Sequence, residues 1–117
     1  MVSAAALLVT VSVSQNMRGV SINPETEMAI LTDPTSTSVS LMSLLNQTVG
    51  NTITLESGTA ACAVNPLTNI AVTVNSIGNQ ASILDLQQSQ RLEQVTVGTK
   101  PTAVAIDPIN NVALVVN

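Results

Sequence analysis

The stretch Cys62-Ala63-Val64-Asn65-Pro66-Leu67-Thr68-Asn69-Ile70-Ala71-Val72-Thr73-Val74-Asn75 reads as strand, tight turn, strand. The same pattern stands before it at Val20-Ser21-Ile22-Asn23-Pro24-Glu25-Thr26-Glu27-Met28-Ala29-Ile30-Leu31-Thr32-Asp33. It stands after it at Val104-Ala105-Ile106-Asp107-Pro108-Ile109-Asn110-Asn111-Val112-Ala113-Leu114-Val115-Val116-Asn117. Asn65 follows Asn23 by 42 positions, and Asp107 follows Asn65 by 42 again. A fixed period of that size marks a repeat architecture. Each turn opens on Asn-Pro or Asp-Pro: the first side chain bonds the backbone just ahead of it, and the proline ring fixes φ.

Residues 17–58 form a first complete repeat with strands expected at 19–22, 28–32, 39–43 and 49–55. Residues 59–100 repeat that order, with strands at 61–64, 70–74, 81–84 and 92–97. Residues 101–117 supply two more strands, at 103–106 and 112–116. Before the first repeat, Val9-Thr10-Val11-Ser12-Val13-Ser14 alternates strictly, the mark of a half-buried strand. Residues 1–16 are therefore read as the end of a truncated repeat, because Val11 and Val13 fall on Ile53 and Leu55 at the same offset. A signal peptide is the competing reading of Ala4-Ala5-Ala6-Leu7-Leu8-Val9, but no Lys or Arg precedes Arg18. The run is also far short of the roughly 20 apolar residues that span a membrane. Four short strands per 42 residues make one antiparallel sheet per repeat, the blade of a β-propeller. A β-solenoid has shorter coils with fewer turns, and a β-sandwich leaves the matched turns unexplained. The expected fold is all-β, an incomplete open arc of about 2.8 repeats in 117 residues.

Composition narrows the function. Hydrophobic residues make up 45% and charged residues only 9%, so the chain is not disordered by composition. With no Phe, Tyr or Trp, the core must be built of Val, Ile, Leu, Ala and Met. A net charge of -4 with three basic residues leaves no footprint for nucleic acid and no polybasic membrane patch. The absence of aromatic residues also removes base stacking. One cysteine, Cys62, excludes an internal disulfide, and the absence of His removes the commonest zinc ligand and general base. Richness in Ser, Thr and Asn with little Lys fits an exported or cell-envelope setting.

The three copies resemble the YVTN and NHL-like β-propeller repeats. The first element of that pattern matches Ala61-Cys62-Ala63-Val64-Asn65-Pro66 and Ala103-Val104-Ala105-Ile106-Asp107-Pro108. The second matches Ile30-Leu31-Thr32-Asp33, Val72-Thr73-Val74-Asn75 and Leu114-Val115-Val116-Asn117, with an aliphatic residue in place of the signature Tyr. The third matches Val39-Ser40-Leu41-Met42-Ser43-Leu44 and Ala81-Ser82-Ile83-Leu84-Asp85-Leu86, and the strand ending matches Val97-Gly98. The resemblance covers nearly all of residues 7–117. It implies a binding or scaffold module, often exported; a few relatives carry enzyme activity on a central face.

Five residues are binding-face candidates. Asp33, Asn75 and Asn117 recur at one position after the second strand, where they would form a polar ring or simply cap their own turns. Arg18 and Lys100 lie in the loops leading into first strands, where they would meet an anion or stand solvated. Cys62 aligns with Val20 and Val104 and is read as a buried packing residue, because no cation or base beside it would activate the thiol. Glu25, Glu27 and Asp107 fall in turns without the spacing of a calcium loop. No catalytic set, cofactor site or metal site is expected.

The expected function is that of a non-catalytic repeat module with a binding or scaffold role, its partner a protein or a glycan. The other class is a piece of a lyase-type propeller enzyme whose catalytic residues lie elsewhere. Terminal blades of an open arc leave apolar faces uncovered, so the chain is expected to be part of a longer protein, joining further blades, or else to self-associate.

Overall fold

The computed structural model describes residue 13, residues 16–55 and residues 58–117. The strand expected at 9–14 lies outside the described residues, Val13 apart. Ten strands are present among the described residues. β1 (Gly19–Asn23), β2 (Met28–Thr32), β3 (Ser38–Ser43) and β4 (Thr48–Thr54) form one antiparallel sheet in chain order. β5 (Ala61–Asn65), β6 (Ile70–Asn75), β7 (Gln80–Asp85) and β8 (Gln90–Thr96) form a second. β9 (Ala103–Asp107) and β10 (Val112–Val116) form a two-stranded third. The fold is all-β, with blades of the propeller type in an arc that does not close.

Six of the seven hairpins, all but β2–β3, share one local device. Glu27, Gln47, Asn69, Asn79, Ser89 and Asn111 all have φ between 54° and 57°, and each stands immediately before the strand that leaves its turn. A turn finished by one left-handed residue is a common way to join two strands. Three of the six are Asn, the side chain that tolerates this conformation best after glycine. A second device recurs in the outer hairpins. The pairing of β3 with β4 slips between Ser40 and Met42, and that of β7 with β8 slips between Ile83 and Leu84. In both sheets the extra residue falls at the same repeat position and bends the outermost strand.

The sheets stack face to face and fan outward. β1 abuts β5 and β5 abuts β9, whereas β4 and β8 barely meet. The innermost strands therefore lie toward a common axis. Between the first two sheets, Ile30, Val39, Leu41, Ile53 and Leu55 pack against Ala71 and Leu84, with Cys62, Val64 and Leu86 closing the edge. Between the second and third, Val72, Val74 and Ala81 pack with Ile83, Val97, Val104, Ile106 and Val115. The preceding face of the first sheet is partly covered by Val13 and Met17 against Ala29, Leu31 and Met42. Strand alternation makes this possible: in β6, Ala71 points back to the first sheet and Val72 forward to the third.

One comparison shows what the neighbouring blade contributes. Ile53 and Val95 occupy the same repeat position, yet Ile53 is 2% exposed and Val95 41%. Leu84 and Leu86 help cover the forward face of the first sheet, whereas the third sheet has only β9 and β10 to set against the second. A cavity of about 380 Å³ remains there, lined by Ile70, Val72, Ile83, Leu92, Ile106 and Ala113 among others.

Truncating Ile53 to Ala should lower the unfolding free energy by about 2–5 kcal/mol, the range for a buried aliphatic side chain. The matched change Val95→Ala should cost about 0.5 kcal/mol or less, as an exposed position does. Urea denaturation of both variants measures the difference, and equal losses would rule out the burial gradient.

Candidate functional site

The strand register separates the two ends of the blades. Gly19 pairs with Thr32 at one end of the first hairpin and Asn23 with Met28 at the other. Arg18 and Asp33 therefore share the first end, together with Asn75, Lys100 and Asn117 by the equivalent pairings. All five residues expected on a binding face stand at this loop end.

Their local bonds are specific. Asp33 Oδ1 accepts from the backbone N–H and the hydroxyl of Thr35 at 2.7 and 2.6 Å. Asn75 Oδ1 accepts from the N–H groups of Ile77 and Gly78 at 2.9 and 3.0 Å. Both side chains thus cap their own turns, as this position's chemistry allowed. Asn117 lies against Gly98, where a Cβ would meet its side chain at 2.7 Å. Lys100 has φ of 52°, and its N–H donates to Asn79 Oδ1 at 2.8 Å, which leaves the exposed ammonium on a fixed loop. The Ser76 hydroxyl donates to Pro101 O at 2.7 Å and ties the second blade to the entry of the third. At Gly58 a Cβ would run into the backbone of Pro34, so the chain passes here by close approach.

The opposite, turn end carries a feature that sequence reasoning missed. Asn23 and Asn65 are fully buried polar residues. Asn23 Oδ1 accepts from Glu25 N–H at 2.9 Å, and its Nδ2 donates to Asn69 Oδ1 of the next blade at 2.8 Å. Asn65 repeats this: Oδ1 accepts from Leu67 N–H at 3.0 Å, and Nδ2 donates to Asn111 Oδ1 at 2.9 Å. Each interface is crossed by one amide pair linking a first-strand Asn to the left-handed turn Asn of the following blade. The signal was present in the sequence as a partner spacing of 46, the period plus one turn, but only stacking brings the two residues together. Asp107 holds the third rung. Its Oδ1 accepts from Ile109 and Asn110 N–H, and its Oδ2 accepts from Asn110 Nδ2 at 2.7 Å. Those bonds, the Asn110 side chain foremost, hold its carboxyl below the ordinary range.

Cys62 is half-buried rather than fully buried, at the edge of the first interface. β5 is the innermost strand of its sheet, so the Cys62 side chain sits at the inner rim of the interface rather than at its centre. Burial pushes the thiol from an ordinary 9.0 to about 11, and the Thr32 hydroxyl beside it works more weakly the other way. Thr32 Oγ1 itself is buried without a hydrogen bond of normal geometry. A thiol so raised is almost wholly protonated at neutral pH and a poor nucleophile.

Among the described residues, no group of three or more His, Cys, Asp or Glu side chains is placed to hold a metal ion. Nor is any described helix long and apolar enough to cross a membrane.

In fold the chain is similar to a chain of Kuenenia stuttgartiensis hydrazine synthase, with a TM-score of 0.81 at 18% identity over 97% of this chain. The match covers 32% of that chain, so the present chain spans about a third of its length. No family model matches the sequence, and no curated protein matches it. The likeness is one of fold: a β-rich repeat protein of stacked antiparallel blades.

Asn65→Ala should cost about 1–3 kcal/mol in urea denaturation, because it removes two hydrogen bonds made by a buried side chain, each worth about 0.5–1.5 kcal/mol. Asp107→Ala should cost less than about 1 kcal/mol, since that residue is exposed. Comparable losses would dissolve the distinction between inner and outer rungs. For Cys62, a thiol-reactive dye should label slowly in the native state and quickly in denaturant. Because its folded pKa lies above its unfolded one, its contribution to stability is complete below about pH 9 and is lost as pH rises through about 11. Native labelling that already plateaus near pH 9 would contradict this.

Proposed function

We propose that the chain is a non-catalytic repeat module of the YVTN/NHL-like kind, with a binding or scaffold role. The observation that carries the reading is the pair of successive blade interfaces, each with an apolar face and a crossing amide pair, which hold the loop ends of three sheets side by side. Such stacking fixes Arg18, Asp33, Asn75, Lys100 and Asn117 along one edge of the arc on a rigid base. Two of these are capped turn residues and two are cations, a surface suited to hydrogen-bonding polar groups of a protein loop or a glycan.

The test is solution NMR of the whole isotope-labelled chain, titrated with neutral and uronic-acid oligosaccharides and with short peptides. Saturable shifts should appear at the amides of Asp33, Asn75 and Lys100, and Asn75→Ala with Lys100→Ser should weaken the binding about tenfold. New product signals from the added sugars or peptides would favour the lyase-type alternative. Shifts confined to the turn end would remove the assigned binding face.

A further inference from the structure

Among the described residues none covers the forward face of the third sheet, which is apolar. Val112, Leu114 and Val116 stand at alternate positions of β10 and are 56%, 67% and 51% exposed. They occupy the repeat positions of Ile70, Val72 and Val74, of which Val72 and Val74 are buried by the third sheet. At its β10 positions the face therefore continues an interface formed twice within the chain. Beside the part that Val13 and Met17 cover, the preceding face of the first sheet is its complement: Val20 and Ile22, 63% and 50% exposed, hold the positions of Val104 and Ile106, which pack on the second sheet.

The polar ladder decides what fits. In both internal interfaces the first-strand Asn gives an amide N–H to the left-handed turn residue of the next blade. On the forward face that donor is replaced by Asp107, a carboxylate that only accepts. On the preceding face the acceptor position is held by Glu27, at φ 56° like Asn69 and Asn111. Two copies joined end to end would set Asp107 against Glu27, two carboxylates where the internal pairs have two amides, and like charges brought together in a partly desolvated joint repel.

We propose that the β9–β10 face docks a further antiparallel β-blade whose left-handed turn residue donates a hydrogen bond to Asp107, and that the pairing of Asp107 with Glu27 rejects a second copy of this chain. The required donor is a side-chain amide or a cation. The apolar positions supply the attraction, and the carboxylate at the rung supplies the selection. This rests on the repeat-module reading and adds the chemistry of the partner.

The experiment substitutes the joint within the full chain and reads self-association by sedimentation velocity at neutral pH. Glu27→Asn gives the preceding face an amide donor, in a residue type that suits its backbone conformation better than Glu does. Asp107→Asn instead restores a donor on the forward face. Each variant should self-associate about tenfold more tightly than the unaltered chain, the size of one hydrogen bond to a charged group in place of a repulsion. Adding Leu114→Lys to Glu27→Asn should return it to the starting affinity, since that change charges the docking face without touching the core. Variants that associate no more tightly than the unaltered chain would overturn the proposal. So would a Leu114→Lys combination that associates as well as Glu27→Asn alone. Sedimentation reads the blade faces and the ligand titration reads the loop end, so either result stands or falls without the other.

Discussion

Every sheet in this molecule has apolar side chains on both faces, and that constraint organises the rest. A sheet with one apolar face is satisfied by a single partner layer. Here β6 alone buries Ala71 toward the first blade and Val72 and Val74 toward the third. Val72 and Val74 each contribute roughly 1.5–3 kcal/mol when withdrawn from water. In a repeat array that contribution exists only where a neighbour is present. Burial accordingly falls along the chain, from the closed interface around Leu84 to the cavity beside Ile83 and the bare strand β10. With no aromatic residue, no single large side chain anchors an interface, and many small aliphatic contacts share the task.

Apolar contact between such sheets has little direction. Rows of Val, Ile and Ala offer several comparable offsets, and a sheet slipped along its neighbour would still bury oil against oil. The amide pairs Asn23–Asn69 and Asn65–Asn111 remove that freedom. A buried amide without a partner costs about 1–3 kcal/mol, so only the offset that pairs both is retained. Each first-strand Asn also holds its own turn through the N–H two residues ahead, which joins hairpin geometry to blade stacking in one side chain. The same residue type thus serves a local purpose and a distant one.

The two ends of the blades divide the remaining chemistry. At the turn end, the polar groups are consumed in holding neighbouring blades in register. At the loop end, Asp33 and Asn75 spend their carbonyl-type oxygens on their own turns, while the exposed cation of Lys100 is carried on a loop pinned by Asn79. Cys62 belongs to neither end. Its thiol, raised by burial at the rim of an apolar interface, behaves as a small packing group.

The sequence alone specified the fold class, the boundaries of the ten described strands to within a residue or two, and the residues that open the turns. The reason is that the 42-residue period, the two-residue alternation and the Asn-Pro and Asp-Pro pairs are local or strictly repeating signals. It also marked Arg18, Asp33, Asn75, Lys100 and Asn117, which share one end because antiparallel pairing places the entry of each first strand beside the exit of the second. Which equivalent positions are covered depends on how the blades stack. Ile53 and Val95 are indistinguishable by pattern and differ in exposure because of what stands opposite them. The stacking likewise decided that Cys62 is half-open and that Asn23 and Asn65 reach across to the next blade. Those outcomes depend on contacts between residues about one period apart, and a one-dimensional pattern specifies which side chains face inward without specifying how the facing surfaces align.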